Sequence, residues 1–258
     1  MAGVKIERIA IVGARGQMGA LFARTFHKAG YTVATLDRPY AEEAIREAVA
    51  AADLVLISVP VTATKDVART LAPHMKAGAI LCDVCSVKVN PLEQMLAAYD
   101  GPVVGTHPLF GPVIPEGFDP RVAVTPGRDF PDGRTGAAEA VSEVFARSGF
   151  SPFASTAEEH DRAMAVVQGL NFITTTAYLA AARQTPAIEK FRTPSFERRL
   201  EAARKMLTQD RELFQLISED NPFLQETVRQ FTAYLDLAAG GDLDLLSARA
   251  SWWWRDTA

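Results

Sequence analysis

The stretch Ile9-Ala10-Ile11-Val12-Gly13-Ala14-Arg15-Gly16-Gln17-Met18-Gly19 constrains this chain more than any other: an apolar run, a glycine-rich turn and the opening of a helix follow without a gap. A turn this tight needs residues without side chains where the backbone folds back. The first amides of the helix have no partners inside it, and with the helix dipole they form a site for an anionic group. The order strand, glycine turn, helix is that of a dinucleotide-binding βαβ unit. The spacing is GxxGxxG, one residue longer from the first glycine than the common GxGxxG. Asp37 closes the next apolar run, TVATLD, at roughly the 20-residue distance where an acid meets the ribose diol. A carboxylate there accepts from the ribose hydroxyls and repels a 2′-phosphate, so NAD is expected over NADP, with Arg38 beside it as the one contrary sign. The expected cofactor set is therefore Gly13, Arg15, Gly16, Gln17, Met18, Gly19, Asp37 and Arg38, joined by Ser58, Val59 and Pro60 at the end of a third strand. The competing reading is a glycine turn that only packs strand on helix.

The rest of the first half supports that context. Apolar runs at Arg8–Val12, Thr32–Leu36, Leu54–Ser58, Ala79–Cys82 and Val103–Thr106 alternate with helical patterns at 17–29, 41–50, 62–72 and 90–98. Nearly continuous apolar strands between helices predict a parallel sheet covered on both faces. Val122–Thr125 and Pro152–Ala154, flanking a helical stretch at 134–148, extend it. The stretch between Pro108 and Pro131 holds too many Pro and Gly residues for a continuous helix or a central strand, and its aromatic content predicts a functional loop. From Thr156 the pattern changes. Thr156-Ala157-Glu158-Glu159 has the capping-box form, which predicts a long helix from Ala157 to about Arg183. Further helices are predicted at 196–218, 222–239 and 242–254. The fold class is thus an α/β Rossmann-type domain with a mostly parallel sheet, residues 1–155, followed by an all-α domain, 156–258, for substrate binding and dimerisation. The apolar faces of the second domain, ending in Trp252-Trp253-Trp254, exceed what one small bundle buries, and a homodimer through these helices is expected; the Trp run reads equally as core.

At 258 residues the chain is comfortable for two domains. Its net charge of −4 offers no broad basic field for nucleic acid or an anionic membrane, so an anionic substrate must be held by a few local cations. No signal peptide is legible at the start and no run of about 18 apolar residues is seen, so a cytoplasmic protein without a membrane span is expected. The two cysteines, Cys82 and Cys85, stand as CxxC. A zinc site would need further ligands, which the sequence does not supply in any usual spacing, so they read as buried small hydrophobes and no metal is expected.

Of four histidines, His107 is the one placed for chemistry. It ends a predicted parallel strand within Gly105-Thr106-His107-Pro108-Leu109-Phe110-Gly111-Pro112, where doubly wound sheets bind their ligands. Ser58-Val59-Pro60 ends another strand, and Asp83-Val84-Cys85-Ser86-Val87-Lys88 follows a third, so several strand ends converge on one crevice. In these motifs, in GARGQMG, in the His160-Asp161 pair and in the stretch MAVVQGLNF, the chain resembles the prephenate dehydrogenase family, across residues 13 to about 210. The resemblance is nearest to dehydrogenase domains that in some proteins are fused to chorismate mutase; a monofunctional protein is expected.

The resemblance implies NAD-dependent oxidative decarboxylation of prephenate to 4-hydroxyphenylpyruvate in tyrosine biosynthesis. It implies a catalytic role for His107 as acceptor of the substrate's hydroxyl proton, and for Ser86 as a hydrogen-bond partner of that hydroxyl or of His107. Gln168 occupies a substrate-facing position, and Asp161 lies two turns earlier on the same helix, with a helix-start acid as its plainer reading. The family's carboxylate-clamping Arg falls on Lys205, with Arg204 adjacent and Arg198 two turns before; solvated surface charge is the alternative. Where many members carry a His, this chain has Phe172, so the side-chain end of the substrate is read differently. Arogenate is the nearest rival substrate. A β-hydroxyacid dehydrogenase is disfavoured because no Lys follows Gly169 at the required place, and a non-catalytic NAD sensor would leave His107 beside Ser86 unexplained.

Overall fold

The computed structural model describes residues 4–255, with the backbone alone at 211–213. It divides into two compact units, the first ending at Met164 and the second beginning at Ala165. The division therefore falls inside the helical run that opens at Ala157, later than the 155/156 boundary expected from the change of pattern.

The first unit alternates strand and helix: β1 Arg8–Val12, α1 Gln17–Lys28, β2 Thr32–Leu36, α2 Glu42–Val49, β3 Leu54–Ile57, α3 Thr64–Leu71, β4 Ile80–Asp83, α4 Val89–Ala98, β5 Val103–Pro108, β6 Arg121–Arg128, α5 Ala137–Arg147, β7 Ser151–Ala154 and α6 Ala157–Met164. The strands form one seven-stranded sheet in the order β2-β1-β3-β4-β5-β6-β7. Every pairing is parallel except β5 with β6. Side chains alternate across a strand, and this sheet uses both directions. Ile9, Ile11, Leu54, Leu56, Ile80 and Cys82 join Phe22 and Phe26 of α1 and Phe145 of α5 in one core. Ala10, Val12, Val55, Ile57 and Leu81 join Ile45 of α2, Leu71 of α3 and Met95 of α4 in the other. Burial on both faces explains why the strands read as continuous apolar runs instead of alternating ones.

One part of the expectation needs correcting. Pro126 and Gly127 lie inside β6, a strand with neighbours on both sides, where so many Pro and Gly residues argued for a loop. The register between β5 and β6 shifts at Val103/Val104, opposite Pro126 and Arg128. An irregularity of this kind is where a sheet accepts a residue that lacks an N–H. Gly127 is required there, since a Cβ would stand 2.8 Å from the Val103 carbonyl oxygen.

The helical run continues from α6 through a π segment, Ala165–Leu170, into α7 Asn171–Ala182. The capping box is formed: Glu159 N–H donates to Thr156 Oγ1 at 3.1 Å, and Thr156 N–H to Glu159 Oε2 at 3.4 Å. No span was expected, yet Ala157–Ala182 is long and apolar enough to cross a membrane by length and composition. Its first turns, however, place His160 and Asp161 in buried polar contacts within the first unit.

The second unit, as expected, is helical: α8 Pro194–Thr208, α9 Arg211–Asp220, α10 Leu224–Ala239 and α11 Leu243–Ala250 follow α7. The helix expected at 196–218 is two helices, broken at Gln209–Asp210. Few of its apolar side chains are buried. Trp252, Trp253 and Trp254 are 50%, 72% and 65% exposed, so the Trp run is not core within this chain.

Candidate active site

The candidate site lies at the edge where β1, β3, β4 and β5 end. Val12 stands opposite Ile57, and Ile57 opposite Asp83, so the loops after these strands open side by side. β1 has β2 on one side and β3 on the other, and a ligand crevice is expected where the chain order reverses in this way. Gly13 sits there at φ +89, and a Cβ on it would stand 2.3 Å from the Ser58 carbonyl oxygen. A Cβ on Gly19 would stand 2.2 Å from the Gly13 carbonyl oxygen. Both glycines are steric requirements: one brings the turn against the Ser58-Val59-Pro60 loop, the other lets α1 pack onto the turn. Gly16 is the N-cap of α1 and, among the described residues, no side chain caps that helix, which leaves its first amides to an external acceptor. Arg15 and Gln17 are exposed and Met18 half-buried around it. Asp37, just past β2, accepts the Arg15 backbone N–H on Oδ1 at 3.0 Å, so the acid also fixes the shape of the turn. Arg38 is exposed, its guanidinium 5.9 Å from the Tyr40 ring centroid. This cradle fits the pyrophosphate and ribose of a dinucleotide.

His107, near the end of β5, is 3% exposed and lies in a buried polar cluster. Its Nδ1 is 2.9 Å from Nε2 of His160, whose Nδ1 is 2.7 Å from Oδ1 of Asp161. Asp161 also accepts the N–H groups of Lys88 and Val89 at 2.7 and 2.8 Å, capping the start of α4. Lys88 is fully buried and donates from Nζ to Asp83 Oδ2 at 2.5 Å and to the Thr106 carbonyl oxygen at 2.7 Å. Asp83 accepts the N–H groups of Cys85 and Thr106 as well. A Cβ on Gly105 would stand 3.2 Å from Lys88 Cδ, so that glycine leaves room for the lysine stem. Burial, with His160 and Lys88 beside it, holds the His107 imidazole well below its ordinary pKa of 6.5. It is therefore neutral and able to accept a proton at neutral pH. Ser86, in the loop after β4, is half-buried, and no hydrogen bond joins it to His107 among the described residues.

His160 and Lys88 are functional candidates that sequence reasoning passed over, although both stand inside the motifs it singled out. Cys82 and Cys85 are free and buried; burial pushes the Cys82 thiol up to about 12 and raises that of Cys85 too, so neither is a ready nucleophile. The expected substrate residues of the second unit sit as follows. Gln168 lies in the π segment, and its Oε1 is buried with no hydrogen-bond partner among the described residues. Such segments mark functional sites often enough to keep Gln168 a candidate. Lys205 is exposed on α8 and pairs with Asp210 at 3.5 Å; Arg198, also exposed on α8, donates to Ser195. Phe172 stacks on Phe214 with ring centroids 5.3 Å apart.

Doubly wound sheet and glycine cradle together define a dinucleotide-binding protein. Residues 28–122 match the family described as prephenate dehydrogenase, nucleotide-binding domain. The chain is 33% identical to the T-protein of Enterobacter agglomerans, over 98% of this chain and 69% of that protein. It is 32% identical to the T-protein of Haemophilus influenzae, over 87% of this chain and 60% of that protein. The crystal structure of prephenate dehydrogenase from A. aeolicus, in complex with hydroxyphenyl propionate and NAD+, superposes with a TM-score of 0.76 at 20% identity over 100% of both chains. The chain belongs to the prephenate dehydrogenase family. It spans 60 to 69% of the length of the two T-proteins it matches.

Proposed function

We propose that the protein is an NAD-dependent oxidoreductase that converts prephenate to 4-hydroxyphenylpyruvate and CO2, a step of tyrosine biosynthesis. The observation that carries this reading is a neutral, buried imidazole, His107, ending the strand two places from β3 in a sheet whose β1 and β3 loops form the cofactor cradle. Bound NAD supplies a hydride acceptor for the ring carbon that bears the hydroxyl. His107 accepts the hydroxyl proton as that carbon is oxidised. The C–C bond to the ring carboxylate then breaks, its electron pair enters the ring, and CO2 leaves. The proton held at His107 returns to the oxygen as the ring becomes a phenol, so no net proton is released. Ser86 serves as a second hydrogen-bonding group for the same hydroxyl, and Gln168 and Lys205 stay our candidates for holding the substrate. The test is NADH formation with prephenate. No NADH with prephenate at any pH, but turnover with arogenate, would move the assignment to the second reading. Phe172 favours considering arogenate, because an apolar ring stands where many members place an imidazole, and the two substrates differ only at the side-chain end.

NAD is favoured over NADP by Asp37. Replacing Asp37 with Ser removes the charge that repels a 2′-phosphate but keeps an acceptor for the Arg15 N–H. The ratio of kcat/KM for NAD over NADP is expected to fall by at least about tenfold, or ~1.4 kcal/mol. A ratio that stays put would give the discrimination to another residue.

The reading includes a cytoplasmic location, supported by two free buried thiols. It also includes a homodimer through the second unit. Val167, Phe191, Leu235, Leu243 and Trp253 are all more than half exposed there, an apolar surface that monomers seldom leave in water. Sedimentation equilibrium is expected to return twice the mass of the chain; a monomer at micromolar concentration would remove the dimer from the reading.

A further inference from the structure

Resting on the reading of His107 as proton acceptor, we infer that His160 and Asp161 are positioning residues that leave Nε2 of His107 as the proton-accepting atom and receive the charge that catalysis places on it. The argument is one of hydrogen-bond parity along a buried chain. An Asp carboxylate is acceptor only, so the contact of 2.7 Å between Asp161 Oδ1 and His160 Nδ1 puts a proton on that nitrogen. Asp161 is held in place by the Lys88 and Val89 amides, which also require an acceptor from it. With its one proton on Nδ1, a neutral His160 presents a bare lone pair at Nε2. The contact of 2.9 Å to His107 Nδ1 then needs a donor, and that donor is His107 Nδ1–H. A neutral His107 so protonated has its lone pair on Nε2. The other tautomer would set two lone pairs against each other between the rings, with no water to relieve them at 3% and 4% exposure.

The same chain decides where the charge goes. When Nε2 of His107 takes the hydroxyl proton, the Nδ1 proton can pass to Nε2 of His160. Positive charge then rests on the ring that touches the Asp161 carboxylate, rather than on His107, whose charged form the buried Lys88 ammonium opposes. The cluster's charged groups support this direction. From α6 the pair faces Asp161. Across the β4–α4 loop stands Lys88, which is itself paired with Asp83. Wherever the charge of a singly protonated pair resides, His107 Nε2 carries a proton and can accept no other. The acid limb of kcat/KM is therefore a property of the two rings together.

The full-length protein, labelled with 15N-histidine, tests the tautomer without reference to any substrate. In long-range proton–nitrogen spectra at neutral pH, with His107 signals identified by their loss in His107→Asn, Nδ1 of His107 is expected protonated and Nε2 bare. A protonated Nε2 there overturns the inference, and failure of turnover with prephenate leaves this readout standing. Kinetics supply the second arm. His160→Leu is expected to lower kcat at least about tenfold, short of the ~10⁴ that inversion of a buried histidine's tautomer costs in a catalytic triad, with KM for substrate little changed and a displaced acid limb. His160→Gln keeps an amide oxygen to accept from His107 Nδ1–H and is expected to retain most of the activity. A role in packing alone predicts the reverse order, because Leu suits a buried apolar site better than Gln, and that order would overturn the inference.

Discussion

Replacing His107 with Asn is expected to lower kcat about 10²- to 10⁴-fold, the usual loss when a positioned acid–base group is removed. NAD affinity should barely move. The residue lies near the end of β5, whereas the cradle is built from the β1 turn, the β3 loop and Asp37, and among the described residues no hydrogen bond joins His107 to Gly13, Gly19 or Asp37. Asparagine keeps a donor for His160 and roughly half of the side chain's volume, so stability should survive better than rate. Its amide cannot take a proton at neutral pH, so a lower kcat with an unchanged NAD dissociation constant isolates the proton transfer. Steady-state kinetics alongside NAD titration of the variant check both halves. A kcat within threefold of the parent would remove the imidazole from the reaction.

Much of the architecture was legible because it rests on local rules. The apolar runs were continuous since both faces of the sheet are buried, and β1 and β2 match their predicted limits at Arg8–Val12 and Thr32–Leu36. The capping box at Thr156 was legible because all its atoms lie within one turn. What escaped was set by tertiary contact. His107 and His160 are 53 residues apart in sequence, and nothing in either motif tells that one ring would rest on the other. Asp161 shows the same limit: the sequence set it two turns before Gln168 on a substrate-facing side, with a helix-start acid as the plainer reading, and it does complement a helix start, but that of α4, 72 residues away from Val89 along the chain. Lys88 was passed over for the opposite reason. A lysine in a loop is ordinarily solvated, and it takes the Gly105 opening, the Asp83 carboxylate and the Thr106 carbonyl to make its burial tolerable. The π segment at Ala165–Leu170 carries no signature in composition at all, and periodicity read straight through it.

Lys88→Met is expected to be the most destabilising single change in this cluster. Both partners of the Lys88–Asp83 pair are 0% exposed, and removing one charge leaves the other buried without compensation. Such a loss costs about 3–5 kcal/mol, and at ~2–4 °C per kcal/mol for a chain of this size the midpoint should drop on the order of 10 °C. The Cys85 and Thr106 amides still donate to Asp83, which argues for the lower part of that range. The cost belongs to the stranded carboxylate rather than to the lost pair, so adding Asp83→Asn should recover much of it. The same substitution makes a second, separable prediction. Burial, His160 and Lys88 together depress the His107 pKa, and taking away the Lys88 charge removes one of the influences that favour the neutral ring. The imidazole should then protonate at higher pH than in the parent, so activity, which needs the neutral ring, is lost earlier on acidification and the acid limb of kcat/KM moves to higher pH. Thermal unfolding and a pH–rate profile measure the two effects. A midpoint within about 2 °C of the parent would mean that water or a rearrangement reaches Asp83. An acid limb that stays in place would mean that the Lys88 charge is not felt at the imidazole across the Thr106 carbonyl that Lys88 holds.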